Sequence, residues 1–108
     1  MIYISGAITG TSDYMGRFKA AQDTLESKGY VVINPALVNS NLPEKCTHDD
    51  YMTVSMAMLS LCSTIYLLDG WNHSAGAKDE VAWAIEHGLL IITEPTKEKI
   101  NIVEEKHE

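Results

Sequence analysis

Glu80 lies six residues past Ser74, with Gly76 and Ala77 four and three residues before it. On a helix, Gly76, Ala77 and Glu80 share one face, so two small residues stand beside a single carboxylate and leave room for a ligand over it. Ser74 suits the cap of that helix. A hydroxyl at a positive helix end is also where a phosphate docks. The same spacing fits a small-residue helix face packed on a sheet with Glu80 solvated, and the pattern alone leaves both readings open. Asp79 points about 100° away around a helix and is read as surface.

A second unusual stretch, Ser5-Gly6-Ala7-Ile8-Thr9-Gly10-Thr11, has hydroxyls and glycines through which backbone N–H groups can approach an anion. It reads either as a tight connection or as a phosphate cradle. Asp69 before Gly70 reads as a turn cap or as a second polar group for a sugar hydroxyl or for proton transfer. Trp71 and Tyr3 are read as core rings or as walls of a base-binding crevice. Met52, Met56 and Met58 are read as core filler. His48 beside Asp49 and Asp50, and His73, lack closed ligand spacing, so no metal is expected.

The elements that must position these residues follow from runs and stops. Ile2-Tyr3-Ile4 and Tyr30 to Ile33 read as buried strands, and Thr64 to Leu68 and Leu89 to Thr93 as the third and fourth strands. A helix capped within Thr11-Ser12-Asp13 and stopped by Gly29 joins the first two. The polar segment from Asn39 to Thr47 reads as a loop. A largely enclosed helix capped by Asp49 or Asp50 runs to Leu61, and another runs from Ala75 to His87 with Gly88 as its stop.

This βαβαβαβ order predicts an α/β, flavodoxin- or Rossmann-like three-layer sandwich. Its sheet of four or five mainly parallel strands is covered by helices on both faces, in the order 2-1-3-4. The switch point of that sheet lies between the first and third strands, which brings Ser5 to Gly10 and Asp69 to Glu80 together. Residues 1–95 form one domain, and residues 96–108 are a charged tail.

Fifteen acids against eight bases give a net charge of −7, and Arg17 is the sole arginine, so a nucleic-acid polymer is not the expected partner. The opening MIYISGAITG has neither the basic stretch nor the apolar length of an export signal, and no run reaches the length of a membrane span. Cys46 and Cys62 lie sixteen apart with no Cys-x-x-Cys pair, which points to a reducing cytoplasm. A domain of this size often gains stability by associating.

The opening I-Y-I-S-G-A-I-T-G, the second-strand G-Y-x-V-x-N-P and above all D-G-W-x-x-S-x-G-A-x-x-E-x-x-x-A resemble the nucleoside 2-deoxyribosyltransferase-like superfamily, especially its short phage and bacterial members. The resemblance covers about residues 1–95. It implies that Glu80 is the nucleophile toward the anomeric carbon of a deoxyribosyl group. Ser74, six positions before it, matches the phosphate-binding serine of the deoxynucleoside 5′-monophosphate N-glycosidases, where the transferases carry aspartate. In that branch the first loop binds phosphate, which carries over to Gly6, Ala7, Ile8 and Thr9.

Two positions depart from the pattern. Ser55 falls where an aspartate assisting the leaving base or the sugar is expected. Thr9 falls where the glycosidases tend to offer arginine, so that phosphate affinity is lower or is supplied by Arg17 or a partner subunit.

The resemblance implies an N-glycosidase or deoxyribosyltransferase acting on a small nucleotide or nucleoside, without a cofactor, in a homodimer or higher homo-oligomer. The expected catalytic residues are Glu80 and Asp69, with Tyr3, Gly6, Ala7, Ile8, Thr9, Gly10, Trp71, Ser74 and Gly76 binding the substrate. The rival reading is a nucleotide-binding module on the same fold that has lost turnover, motivated by Ser55.

Overall fold

The structure, a computed structural model, describes residues 1–8 and 12–95. Strands β1 (Ile2–Ser5), β2 (Val32–Ile33), β3 (Thr64–Leu67) and β4 (Leu90–Thr93) form one parallel sheet in the order β2-β1-β3-β4. The predicted fold class and strand order hold. Helices α1 (Tyr14–Ser27), α2 (Pro35–Ser40), α3 (His48–Leu59) and α4 (Ala75–Glu86) connect the strands.

The alternation of side chains along a strand divides the core in two. Ile2 and Ile4 of β1 face α1, packing with Phe18, Ala21 and Leu25 and with Tyr66 and Leu68 from the β3 side. Tyr3 faces the other way and packs with Leu59, Cys62, Ile65, Leu67, Val81 and Ala84. Ser5, two residues on, shares the face of Tyr3 by the same period and is buried. Two hydroxyls of β1 therefore point toward α3 and α4.

The helix stops sit where the glycines predicted them. Gly29 and Gly88 have φ of +91° and +71°, the left-handed region that ends a helix without a Cβ penalty. Ser74 caps α4, its Oγ accepting from Ala77 N–H at 3.2 Å.

Other boundaries differ from expectation. The cap of α3 is Thr47, not Asp49 or Asp50: Asp50 serves at N3, and the two form a reciprocal capping box. Residues 35–40, partly assigned to the loop, are helical, because Asn34 Oδ1 accepts from Ala36 N–H and Leu37 N–H while Pro35 opens the helix. Helix α3 is half-buried rather than enclosed, with Ser55 and Leu59 as its buried seam.

The outer strands are also more open than predicted. Tyr30 and Val31 are 53% and 65% exposed, and β2 begins only at Val32. All four residues of β4 are exposed, Leu90 by 61%. In a right-handed crossover α1 returns over β1 and β2, while α4 lies on the opposite face, so among the described residues no helix covers the α1 side of β4. Among the described residues no helix is long and apolar enough to cross a membrane. The tail 96–108 lies outside the described residues.

Candidate active site

Helix α4 buries Ala77, Glu80, Val81 and Ala84, one stripe at i, i+3, i+4 and i+7 in which a glutamate takes the place of an apolar residue. Glu80 is only 7% exposed. A buried carboxylate is costly unless donors surround it, and here they do. Tyr3 Oη donates to Oε2, and Ser5 Oγ donates to Oε1 at 2.7 Å. Ser55, buried on α3, approaches the same carboxyl from the facing helix and favours its charged form.

These groups act on the carboxyl in opposite directions. Burial is the larger effect and pushes the Glu80 carboxyl above its usual range, while the hydroxyls of Tyr3, Ser5 and Ser55 favour the charged form and Asp79 opposes it weakly. The Tyr3 phenol is pushed far up by burial and by the neighbouring carboxylate, so it remains a neutral donor. The arrangement fixes one carboxyl group by hydroxyls on both oxygens at the wall of a cleft, where a nucleophile or proton acceptor could act.

Glu80 lines a cleft of about 620 Å³, a size suited to a small-molecule ligand. The cleft opens between β1, α3 and the first turn of α4. Gly6 and Ile8 from the end of β1 line it, as do Ser74, Gly76 and Ala77. A methyl group on Gly76 would stand 3.5 Å from Met52 Sδ, 3.8 Å from His48 Cε1 and 3.9 Å from Ser74 Oγ, so glycine leaves a space that a larger side chain would fill.

At Gly6 the restriction lies on the core side. A Cβ there would meet Leu68 Cβ and Cδ1, both at 3.0 Å, and Leu68 is fully buried and cannot retreat. Gly6→Ala is expected to lower stability by about 1–3 kcal/mol through overpacking, checked by urea unfolding. An unchanged unfolding midpoint would contradict this packing.

The sequence placed Glu80, Gly6, Ile8, Ser74 and Gly76 in one site, and the fold brings them together. Tyr3 reaches the site from beneath: its ring is wholly buried and its hydroxyl holds Glu80, so it positions the carboxylate instead of walling a crevice. The described residues that line the cleft do not include Asp69, Trp71 or Ala7.

Asp69 is exposed, its carbonyl accepting from Arg17 Nη2 and its N–H donating to Glu94 Oε1 at 3.0 Å. The strand-end position was read correctly, but that segment is held through its main chain beside Arg17 and Glu94. Arg17, considered as a charge for a ligand, thus bonds the end of β3. Trp71 packs against the core cluster containing Tyr3 and Leu59. Thr9 and Gly10 lie outside the described residues.

Apart from Ser55, marked through the resemblance, sequence reasoning missed the α3 wall. His48, Met52 and Ser55, at i, i+4 and i+7, all line the cleft, with Tyr51 beside them. Their helical spacing was visible, but only the packing of α3 on α4 shows which face meets Glu80. Met52, expected as core filler, is half-buried at the cleft. Tyr14, Asn39, Ser40, His73 and Ala75 also line the cleft.

A family model described as Domain of unknown function (DUF4406) matches residues 1–93. The chain belongs to the DUF4406 family. No curated protein and no solved structure matches it. The DUF4406 match runs from β1 through β4 and so includes every residue just placed at the cleft.

Proposed function

We propose that this DUF4406 chain is an N-glycosidase or deoxyribosyltransferase that cleaves the N-glycosidic bond of a small (deoxy)nucleotide or nucleoside. The observation that carries this reading is the Glu80 carboxylate, buried in the core stripe of α4 yet bordering a cleft and held by hydroxyls on both oxygens. The resemblance of its motif to the deoxyribosyltransferase-like superfamily supports the same assignment. One oxygen of Glu80 attacks the anomeric carbon as the bond to the base breaks. Water or a second base then resolves the glycosyl-enzyme, the two-step logic of a retaining glycosidase.

A 5′-phosphate or 5′-hydroxyl would lie at the first turn of α4, beside Ser74 and the backbone after β1, where the helix dipole favours negative charge. This chemistry requires no cofactor. Free thiols at Cys46 and Cys62 suit a cytoplasmic setting. Association of copies would draw on exposed apolar residues of β4 such as Leu90 and Ile92, and a monomer at all concentrations in sedimentation equilibrium would reject it.

The rival reading, a nucleotide-binding module without turnover, is favoured by one observation: Ser55 stands beside Glu80 where the superfamily places an acid. Incubation with deoxynucleosides and their monophosphates, followed by chromatography for free base, decides between them. Release of base supports the enzyme. Thermal stabilisation by a nucleotide without base release supports the module. In either case Gly76→Val is expected to keep the melting temperature of the unliganded protein within a few degrees and to remove nucleotide-dependent stabilisation. Stabilisation equal to wild type would place the ligand elsewhere.

A further inference from the structure

We propose that His48 is the general acid of this cleft, giving a proton to the departing base while Glu80 attacks the sugar. The inference rests on the glycosidase or transferase reading and assigns a residue which that reading leaves without a role. A heterocyclic base expelled as an anion is a poor leaving group, and protonating a ring nitrogen or carbonyl oxygen in the transition state lowers the barrier. Among the described residues lining the cleft Glu80 is the sole carboxyl, and its oxygens already accept from Tyr3 and Ser5. The α3 residue facing it is Ser55, whose hydroxyl is too weak an acid for the task.

The remaining proton donors at the cleft are the phenols of Tyr14 and Tyr51 and the imidazoles of His48 and His73. Imidazole is the side-chain type suited to donating and recovering a proton near neutral pH. Of the two histidines, geometry selects His48. Its Cε1 stands 3.8 Å from the point where a Cβ on Gly76 would be, with Met52 Sδ at 3.5 Å from the same point.

Gly76 is one helical turn before Glu80, which places that point about 5–6 Å from the Glu80 Cβ. Glu80, its carboxyl held by Tyr3 and Ser5, lines the same cleft as Gly76 and His48. Nucleophile and imidazole thus border one opening from two helices. His48 is exposed to solvent.

The step balances as follows. A Glu80 oxygen forms a bond to the anomeric carbon, the carbon–nitrogen bond breaks, and its electron pair goes to the base. The base takes the proton of the His48 imidazolium and leaves neutral. In the second step the neutral imidazole accepts a proton from water as the water oxygen bonds the anomeric carbon and the ester electron pair returns to Glu80.

The test compares wild type, His48→Gln and Glu80→Gln on a purine 2′-deoxynucleoside monophosphate and on its 7-methyl derivative, whose base leaves without needing a proton. If turnover is confined to pyrimidines, a 5-nitro analogue, whose base leaves as a stabilised anion, replaces the methylated purine. His48→Gln is expected to lose about a hundredfold in kcat on the ordinary substrate and less than about threefold on the activated one. Glu80→Gln loses both activities.

Equal loss by His48→Gln on the two substrates, or no loss on either, overturns the role of His48 while leaving the glycosidase reading intact. Absence of base release by wild type from either substrate overturns both.

Discussion

Glu80→Gln is expected to reduce base release by at least about a thousandfold, because an amide cannot form the bond to the anomeric carbon that a carboxylate forms. The substitution keeps the shape of the side chain. Its carbonyl oxygen can accept from Tyr3, and its NH2 can donate to the Ser5 oxygen, so the buried pocket stays satisfied. The fold is therefore expected to survive, and nucleotide-dependent stabilisation is retained.

A stability signature accompanies the loss. Burial raises the Glu80 carboxyl in the folded chain above its unfolded value, so its contribution to stability is fully present below the ordinary glutamate range. That contribution is lost as pH rises through the higher folded value. Wild type should thus lose melting temperature relative to Glu80→Gln between acid and neutral pH. A variant with unchanged base release rejects the nucleophile, and parallel melting curves of the two proteins across that range reject the account of its environment.

Tyr3→Phe carries the next largest effect. The phenol donates to Oε2 of a carboxylate that burial already disfavours in its charged form, and a hydrogen bond to a charged group contributes about 1.5–3 kcal/mol. Without it the carboxyl titrates still higher, and less of the protein carries the ionised nucleophile. The expected result is a fall in kcat/KM of about tenfold to a hundredfold below neutral pH, with the acid limb of the pH–rate profile moved upward and activity partly recovered in alkali. A merely structural tyrosine would lower activity equally at every pH or not at all, and either pattern would contradict the positioning role. The ring itself stays in the core in phenylalanine, so the loss isolates the hydroxyl.

These two residues show how far the chain could be read before folding. Glu80 stood out because Gly76 and Ala77 precede it at helical spacing and Ser74 caps the helix, all local signals that the structure bears out. The order of strands followed from strand-like runs separated by stops, and the left-handed conformations at Gly29 and Gly88 show why those stops work.

What escaped was non-local. The alternation along β1 places Tyr3 and Ser5 on one face, but only the crossover of the chain decides that this face meets α4. His48 carries no local mark of function and Ser55 was marked only through the resemblance; the packing of α3 against α4 brings both to the cleft. The short helix α2 was hidden because Asn34-Pro35 ends a strand and starts a helix with the same two residues. Asp69 shows the converse failure. Its position at the end of β3 was legible, while its place outside the cleft depends on the backbone bonds to Arg17 and Glu94, which are distant in sequence.

The central claim is that a covalent bond forms between Glu80 and a sugar. Acid quenching during turnover of a 2′-fluoro-arabinosyl nucleotide, a substrate that slows breakdown of such an ester, followed by peptide mass spectrometry, addresses it most directly. A mass increase equal to the glycosyl group on the peptide holding Glu80, and none in Glu80→Gln, is the predicted result. Base release with the adduct on another residue, or with no adduct at any quench time, would contradict it.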